Sequence, residues 1–367
     1  MSYRIGIIGA GNMGSVLAVK FSQQNQIILY TNLPETIKEY EPNMRVYCED
    51  NNSCISGKNI KITSNLKTMV DKVDLIFVTF PAFLFKTLSE ELFPLVRSGQ
   101  HLFFVPGSGG AELYFKDFIN KGVTISGLQR VHSVARIIEI GKLTKESGIR
   151  KELKVASVPN SYNDEACKII SELYSLPVQR LDNYLNITLI NSNPILHTTR
   201  LYSIFKDYGI GKTEYDSVPL FYEEWDLETS KLLVEMDREL FQMFNVLEFN
   251  GLPVEQIVPL LEHYESVDSE GLTRKINSIN SLKGLKTPSV INGRGKFLPD
   301  LNSRYFTADF PYGLDILVSF AKLLGTKCEH MIQVSDWYHS IDKRITHYFN
   351  LRDFGIDSPA DILNFYK

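Results

Sequence analysis

The chain has 367 residues, of which 44% are apolar and 22% charged, and its net charge is −4. That length exceeds one ordinary hydrophobic core, so two domains are expected. The composition excludes a disordered chain, and the scattered basic residues point away from a nucleic-acid partner. The longest apolar stretch, Leu75 to Phe85, is too short to cross a bilayer and contains Pro81, so no membrane partner is expected. Cys48, Cys54, Cys167 and Cys328 form neither a C-x-x-C pair nor a metal-ligand spacing. Reduced cytoplasmic thiols and no metal site follow from that pattern. The N-terminus reads as a core strand and lacks the basic region and cleavage site of a signal peptide.

Arg4-Ile5-Gly6-Ile7-Ile8 reads as a strand that runs into Gly9-Ala10-Gly11-Asn12-Met13-Gly14, a G-x-G-x-x-G turn. Gly9 permits the tight turn, Gly11 lets a pyrophosphate approach the backbone, and Gly14 lets helix and strand pack closely. The helix that follows, carrying Val16, Leu17, Val19 and Phe21, aims its free N–H groups at the phosphates, which brings Asn12 and Met13 into the predicted cofactor site. Gln26 to Tyr30 is the second strand. NAD-specific units place Asp or Glu just after it to bind the ribose 2′-hydroxyl. Here the position is Thr31-Asn32, so NADP(H) is favoured over NAD(H), with Lys38 or Arg45 available as a positive partner. Thr31 to Gly57 is polar and partly loop. Further strands are predicted over Asn59 to Thr63, Asp74 to Phe80, Gln100 to Val105, Val123 to Gly127 and Lys154 to Val158, with helices over Leu66 to Lys72 and Glu165 to Tyr174. Thr79-Phe80-Pro81-Ala82 and Pro106-Gly107-Ser108-Gly109-Gly110 each follow a buried strand. Ligands of open α/β sheets bind at such carboxyl ends, so Phe80 and Pro81 join the cofactor candidates; ordinary connecting turns are the alternative. His132 sits in a predicted loop, Leu128 to Arg136. The alternation predicts a doubly wound, mostly parallel Rossmann domain over residues 1–182.

Beyond Asp182 the rhythm changes to long helical periods: Ile195 to Lys206, Tyr222 to Glu248, Val254 to Tyr264, Tyr312 to Leu324 and Glu329 to Asn350. The strand-like runs there are too short to carry a sheet. The fold class is thus α/β followed by all-α, with an all-helical domain over residues 183–367. In Asn193-Pro194-Ile195-Leu196-His197, Asn193 suits an N-cap and Pro194 the first helical position. His197 then lies in the first turn and shares a face with Asn193 and Arg200. A neutral imidazole beside a carbonyl can give or take a proton during hydride transfer; a structural histidine is the equal alternative. Between Asn302 and Leu314, Arg304 can clamp a carboxylate through two hydrogen bonds. Asp309 either orients an imidazole or caps the helix after Pro311, and on sequence alone the cap is the stronger reading.

These residues carry a resemblance. The chain resembles the octopine/nopaline (opine) dehydrogenase family over nearly its whole length. The resemblance runs through the glycine turn, Thr79 to Ala82, Pro106 to Gly110, Ala135-Arg136, Asn193 to His197, Arg304-Tyr305, and Asp309-Phe310-Pro311-Tyr312-Gly313-Leu314. It implies an NAD(P)H-dependent oxidoreductase acting on CH–NH groups. Such an enzyme joins an α-keto acid, such as pyruvate, to the amino group of an amino acid through an imine. It assigns the catalytic histidine and its aspartate to His197 and Asp309. Beside them, Arg304, or Arg200 on the face of His197, would bind a substrate carboxylate, and Asn193 and Arg136 complete the predicted substrate-binding residues. Many family members carry cysteine where this chain has Ala135, and the turn at Ser108 also differs, so the substrate pair is not implied. Two alternatives stay open: a ketopantoate or hydroxy-acid type reductase, which needs a lysine such as Lys206 or Lys212, and a non-catalytic NADP(H)-binding sensor. A homodimer is left open as well.

Overall fold

The computed structural model describes residues 2–254, 257–344 and 347–367. The chain divides into two compact units: Met1–Thr188 with Phe365–Lys367, and Leu189–Asn364. The expected boundary at residue 182 therefore moves, because Tyr184 and Thr188 bond back into the first unit, as does Tyr366 at the far end of the chain.

The strands of the first unit are β1 (Arg4–Ile8), β2 (Gln26–Tyr30), β3 (Arg45–Cys48), β4 (Ser53–Ser56), β5 (Lys61–Thr63), β6 (Leu75–Val78), β7 (His101–Phe104), β8 (Thr124–Leu128), β9 (Val134–Glu139), β10 (Leu143–Ser147), β11 (Leu153–Val158) and β12 (Val178–Arg180). Its helices are α1 (Asn12–Phe21), α2 (Leu66–Val70), α3 (Phe85–Leu92), α4 (Ala111–Tyr114), α5 (Asn163–Tyr174) and α6 (Leu185–Thr188). Eight strands form one sheet in the order β12-β11-β8-β7-β6-β1-β2-β5. All its pairings are parallel except β8 with β11. The central strands read as unbroken apolar runs because helices cover both faces, and Ile5, Ile7, Ile8, Ile76 and Phe77 are fully buried. From β1 the chain goes to β2 on one side and later to β6 on the other. The strand order therefore reverses at β1, which puts the crevice of the doubly wound fold at the carboxyl ends of β1 and β6.

A second, four-stranded sheet, β4-β3-β10-β9, corrects the predicted loops over 31–57 and 128–136. Strands β3 and β10 bury only alternate residues, such as Val46 and Cys48, and β3 pairs with β10 from far along the chain. His132 is buried against Glu146 of β10. Its Nε2 sits 2.7 Å from buried Glu146, which also accepts from Lys20 and Ser133, so the structure gives this histidine an internal role.

Glu112 is the other fully buried carboxyl of this unit. Thr188 Oγ1 donates to its Oε1 at 2.5 Å and Tyr366 Oη at 2.7 Å. Burial raises its pKa from 4.5 to about 7, the two hydrogen bonds offsetting only part of the shift. A carboxyl raised in the fold stabilises it while protonated. That contribution is complete below 4.5 and disappears as the pH climbs through about 7. Glu112→Gln, neutral at every pH, should flatten the stability curve over that window. Urea midpoints at about pH 5 and about pH 8 measure this; an unchanged slope would assign the pH dependence elsewhere.

The second unit contains α7 (Asn193–Phe205), α8 (Leu227–Phe249), α9 (Leu260–His263), α10 (Ser269–Ser278), α11 (Arg304–Thr307), α12 (Asp315–Leu324), α13 (Glu329–Ile341) and α14 (Pro359–Tyr366), whose last two residues rejoin the first unit. A two-stranded ribbon, β13 (Ser289–Ile291) with β14 (Phe297–Pro299), interrupts the helices where no sheet was expected. The predicted helix at Tyr222 starts instead at Leu227, because the Asp226 carboxylate caps it by accepting from Thr229 N at 2.8 Å. Helix α13 stops at Ile341, short of the predicted Asn350. Residues 255 and 256 of the predicted Val254 to Tyr264 helix, and 345 and 346 of the Glu329 to Asn350 helix, lie outside the described residues. Among the described residues no helix is long and apolar enough to cross a membrane, and no cluster of His, Cys, Asp or Glu is placed to hold a metal ion.

Candidate active site

In the first unit the glycine turn fits a pyrophosphate. Gly9 has a φ of +109°, open to glycine at little cost. A Cβ on Gly14 would lie 1.7 Å from Gly9 O, whereas one on Gly11 would meet nothing within 4 Å. Gly14 thus lets α1 pack against the turn, and Gly11 leaves room for a ligand beside the backbone. No side chain caps α1, so its first N–H groups, from Asn12 and Met13 onward, are available to an anion. Tyr40 Oη and Thr79 Oγ1 brace the turn by donating to Ala10 O at 3.0 Å and Gly9 O at 3.1 Å. Phe80 packs beside Gly9, and Pro81 is exposed at the mouth of the crevice. At the end of β2, Thr31 is buried and its Oγ1 accepts from Leu33 N at 3.2 Å, while Asn32 is exposed. Arg136 projects from β9 next to Ile137, whose N–H donates to Asn12 Oδ1 at 2.7 Å, so this predicted substrate residue lies on a strand tied to the glycine turn.

In the second unit the Asn-Pro-x-x-His segment opens α7 one residue earlier than expected: Ser192 is the flanking position, and Asn193 and Pro194 are the first two helical residues. Asp309 does not cap the turn that follows it. Phe310–Leu314 is a π-helical turn in which Leu314 N donates to Asp309 O at 2.8 Å. Gly313 lets this turn sit on the start of α7, since a Cβ there would lie 2.7 Å from Pro194 Cγ. The carboxylate is thereby turned onto α7, where His197 Nδ1 stands 2.7 Å from Asp309 Oδ2. An ionised carboxylate only accepts hydrogen bonds, so Nδ1 carries the proton. The other ring nitrogen, Nε2, is 2.8 Å from Tyr222 Oη, a partner that the sequence reading placed in a helix and did not single out. Tyr305 lies across the imidazole with ring centroids 4.6 Å apart. The result is a carboxylate–imidazole–phenol chain able to move a proton and to hold the imidazolium that forms.

The predicted arginines separate. Arg304 is exposed, has no ion-pair partner among the described residues, and its charge acts on the Tyr305 hydroxyl. Arg200 has no exposed surface. It donates to the carbonyls of Leu220, Phe221 and Glu224 and to the Asp226 carboxylate, so it has no donor to spare for a substrate. Helical spacing placed it on the face of His197 but could not tell that this side chain runs inward.

Residues 180–341 match the family described as NAD/NADP octopine/nopaline dehydrogenase, alpha-helical domain, and residues 4–102 match NADP oxidoreductase, coenzyme F420-dependent. The chain is similar to the tauropine dehydrogenase of Arabella iricolor, at 25% identity over 292 residues, which cover 75% of this chain and 73% of that protein. Among solved structures it is similar to octopine dehydrogenase with NADH and L-arginine, with a TM-score of 0.86, 19% identity, and coverage of 100% of this chain and 99% of the other. Yersinopine dehydrogenase with NADP+ bound gives a TM-score of 0.70 at 12% identity, over 99% of this chain and 95% of that one. At those identities the two structural likenesses establish the fold.

Proposed function

We propose that the chain belongs to the octopine/nopaline dehydrogenase family, whose alpha-helical domain residues 180–341 match, and that it is an NAD(P)H-dependent dehydrogenase that condenses an α-keto acid, such as pyruvate, with the amino group of an amino acid and reduces the imine. The observation that carries this reading is the Asp309 carboxylate lying on His197 Nδ1 rather than on the helix end that it precedes. A reduced nicotinamide, when bound, supplies the hydride.

Gly9, Gly11, Asn12, Met13 and Gly14 would hold the dinucleotide's phosphates and Thr31 and Asn32 its adenosine ribose, with Phe80 and Pro81 along the same crevice. With no carboxylate at Thr31-Asn32 to repel a 2′-phosphate, NADP(H) is the favoured cofactor. His197 moves the proton during carbinolamine formation and dehydration, and Asp309 holds its ring and stabilises the charged form. Arg304 supplies an unpaired guanidinium for a substrate carboxylate. Asn193 at the start of α7 and Arg136 beside the glycine turn complete the set, and Arg200 leaves it. A cytoplasmic setting belongs to the same reading, supported by four unpaired cysteines; a homodimer is to be tested by its mass in solution.

Oxidation of NADPH and of NADH with pyruvate, alone and with a panel of amino acids, tests the proposal. Consumption only when both substrates are present is the expected result, faster with NADPH. Consumption with the keto acid alone would make the protein a simple reductase. None with any pair would leave a nucleotide-binding protein.

A further inference from the structure

His197 is held at both ring nitrogens. With Nδ1–H donated to Asp309, the lone pair of Nε2 faces the Tyr222 hydroxyl, so the one basic position on the ring is already covered. For His197 to take a substrate proton, Tyr222 must either leave or pass the proton on.

The surroundings of Tyr222 oppose its leaving. Its ring is buried, lies edge-on to Phe221 with centroids 4.8 Å apart, and stacks parallel to Trp225 at 6.2 Å. The backbone around it is clamped by Arg200, which donates to Phe221 O at 2.8 Å, Leu220 O at 3.1 Å and Glu224 O at 2.6 Å. Trp225 N donates to Asn277 Oδ1 at 2.9 Å, tying the same segment to α10. Burial, with Tyr305, Tyr264 and Asp309 facing the phenol, holds its pKa well above the ordinary tyrosine value, so it remains an O–H donor through the working pH range.

We infer that Tyr222 is a further catalytic residue, whose hydroxyl relays the proton between the substrate and His197 Nε2. This rests on the condensation reading above. As the substrate ammonium gives a proton to Tyr222 Oη, the phenol's own proton moves to Nε2, and the imidazolium faces Asp309. The freed amine attacks the carbonyl carbon, forming the C–N bond, and a proton passes from nitrogen to oxygen to give the carbinolamine. At dehydration the relay reverses. Nε2–H returns its proton to Tyr222, the phenol protonates the departing hydroxyl, the C–O bond breaks and water leaves. The protein ends with the protons it began with, and no further reactant is needed. This also explains a fully buried arginine three residues from His197: Arg200 is a positioning residue that keeps the phenol against Nε2.

Tyr222→Phe keeps the ring contacts and removes only the O–H. With the cofactor and substrate pair found by the panel, kcat should fall about 100-fold or more. KM for both substrates should stay within about twofold, and the solvent deuterium isotope effect on kcat should change. Turnover within about twofold of the parent, with the same isotope effect, would overturn the relay. Should the phenylalanine variant fold poorly, difluorotyrosine at position 222 keeps shape and O–H but makes the phenol more acidic. A relay then shifts kcat, and an unchanged kcat overturns it. Parallel assay of His197→Ala separates the two ideas. An inactive His197→Ala with a fully active Tyr222→Phe removes the relay alone, whereas an active His197→Ala removes the condensation mechanism beneath it.

Discussion

Replacing His197 by alanine should lower turnover by at least ~100-fold, the usual size of a general acid–base contribution, while NADPH affinity stays within about twofold. The two effects separate because the imidazole belongs to the second unit and the glycine cradle to the first. Alanine leaves Asp309 and Tyr222 with no ring between them, so the proton has no route along the chain and the carboxylate has no cation to stabilise. Steady-state assays with the preferred substrate pair, together with nucleotide titration by fluorescence, measure both quantities. Turnover equal to the parent would remove His197 from the chemistry, and weakened NADPH binding would give it a cofactor role instead.

Arg200→Met should destabilise the protein by roughly 3–5 kcal/mol, at about 1–3 kcal/mol for each buried carbonyl left without its donor. Methionine fills much of the space without a donor. Asp226 is half exposed and can turn to water, so the carbonyls of Leu220, Phe221 and Glu224 account for most of the loss. The contact of the guanidinium with the Trp225 ring, 5.4 Å away, disappears as well. For a unit of this size the melting temperature should fall by about 10 °C, read by calorimetry on the full chain. A fall below about 2 °C would mean that the Leu220 to Asp226 segment holds its shape without the arginine.

Much of the first unit was legible because its signals are local. The apolar run before Gly9, the glycine spacing and the buried strands at Leu75 and His101 each fit within a few residues, and periodicity reads them directly. The four-stranded sheet escaped because Arg45-Val46-Tyr47-Cys48 acquires its partner only when β10 arrives, and its alternating pattern resembles a polar loop. The same contrast governs the site. Pro194 announces the start of α7, but the aim of Asp309 depends on a π-turn and on Gly313 meeting Pro194, which no helical wheel contains. Resemblance to a family supplied that pairing where spacing favoured a cap. Tyr222 left no local trace, since it sits in an aromatic run that reads as the first turn of a helix. The one available signal was Asp226, whose capping side chain moves the start of α8 to Leu227 and frees Tyr222 to face His197.

The bond from Tyr366 to Glu112 spans 254 residues of chain. At the ~5–20 residues per second of ribosomal synthesis, Glu112 is made roughly 10–50 s before its phenolic partner. All of the second unit is translated within that interval. Of the two units, the one begun earlier is thus completed after the other, and it waits with one buried carboxyl short of a donor. A chain that stalls before Tyr366 would carry its fault in the nucleotide-binding half, far from the point at which synthesis stopped.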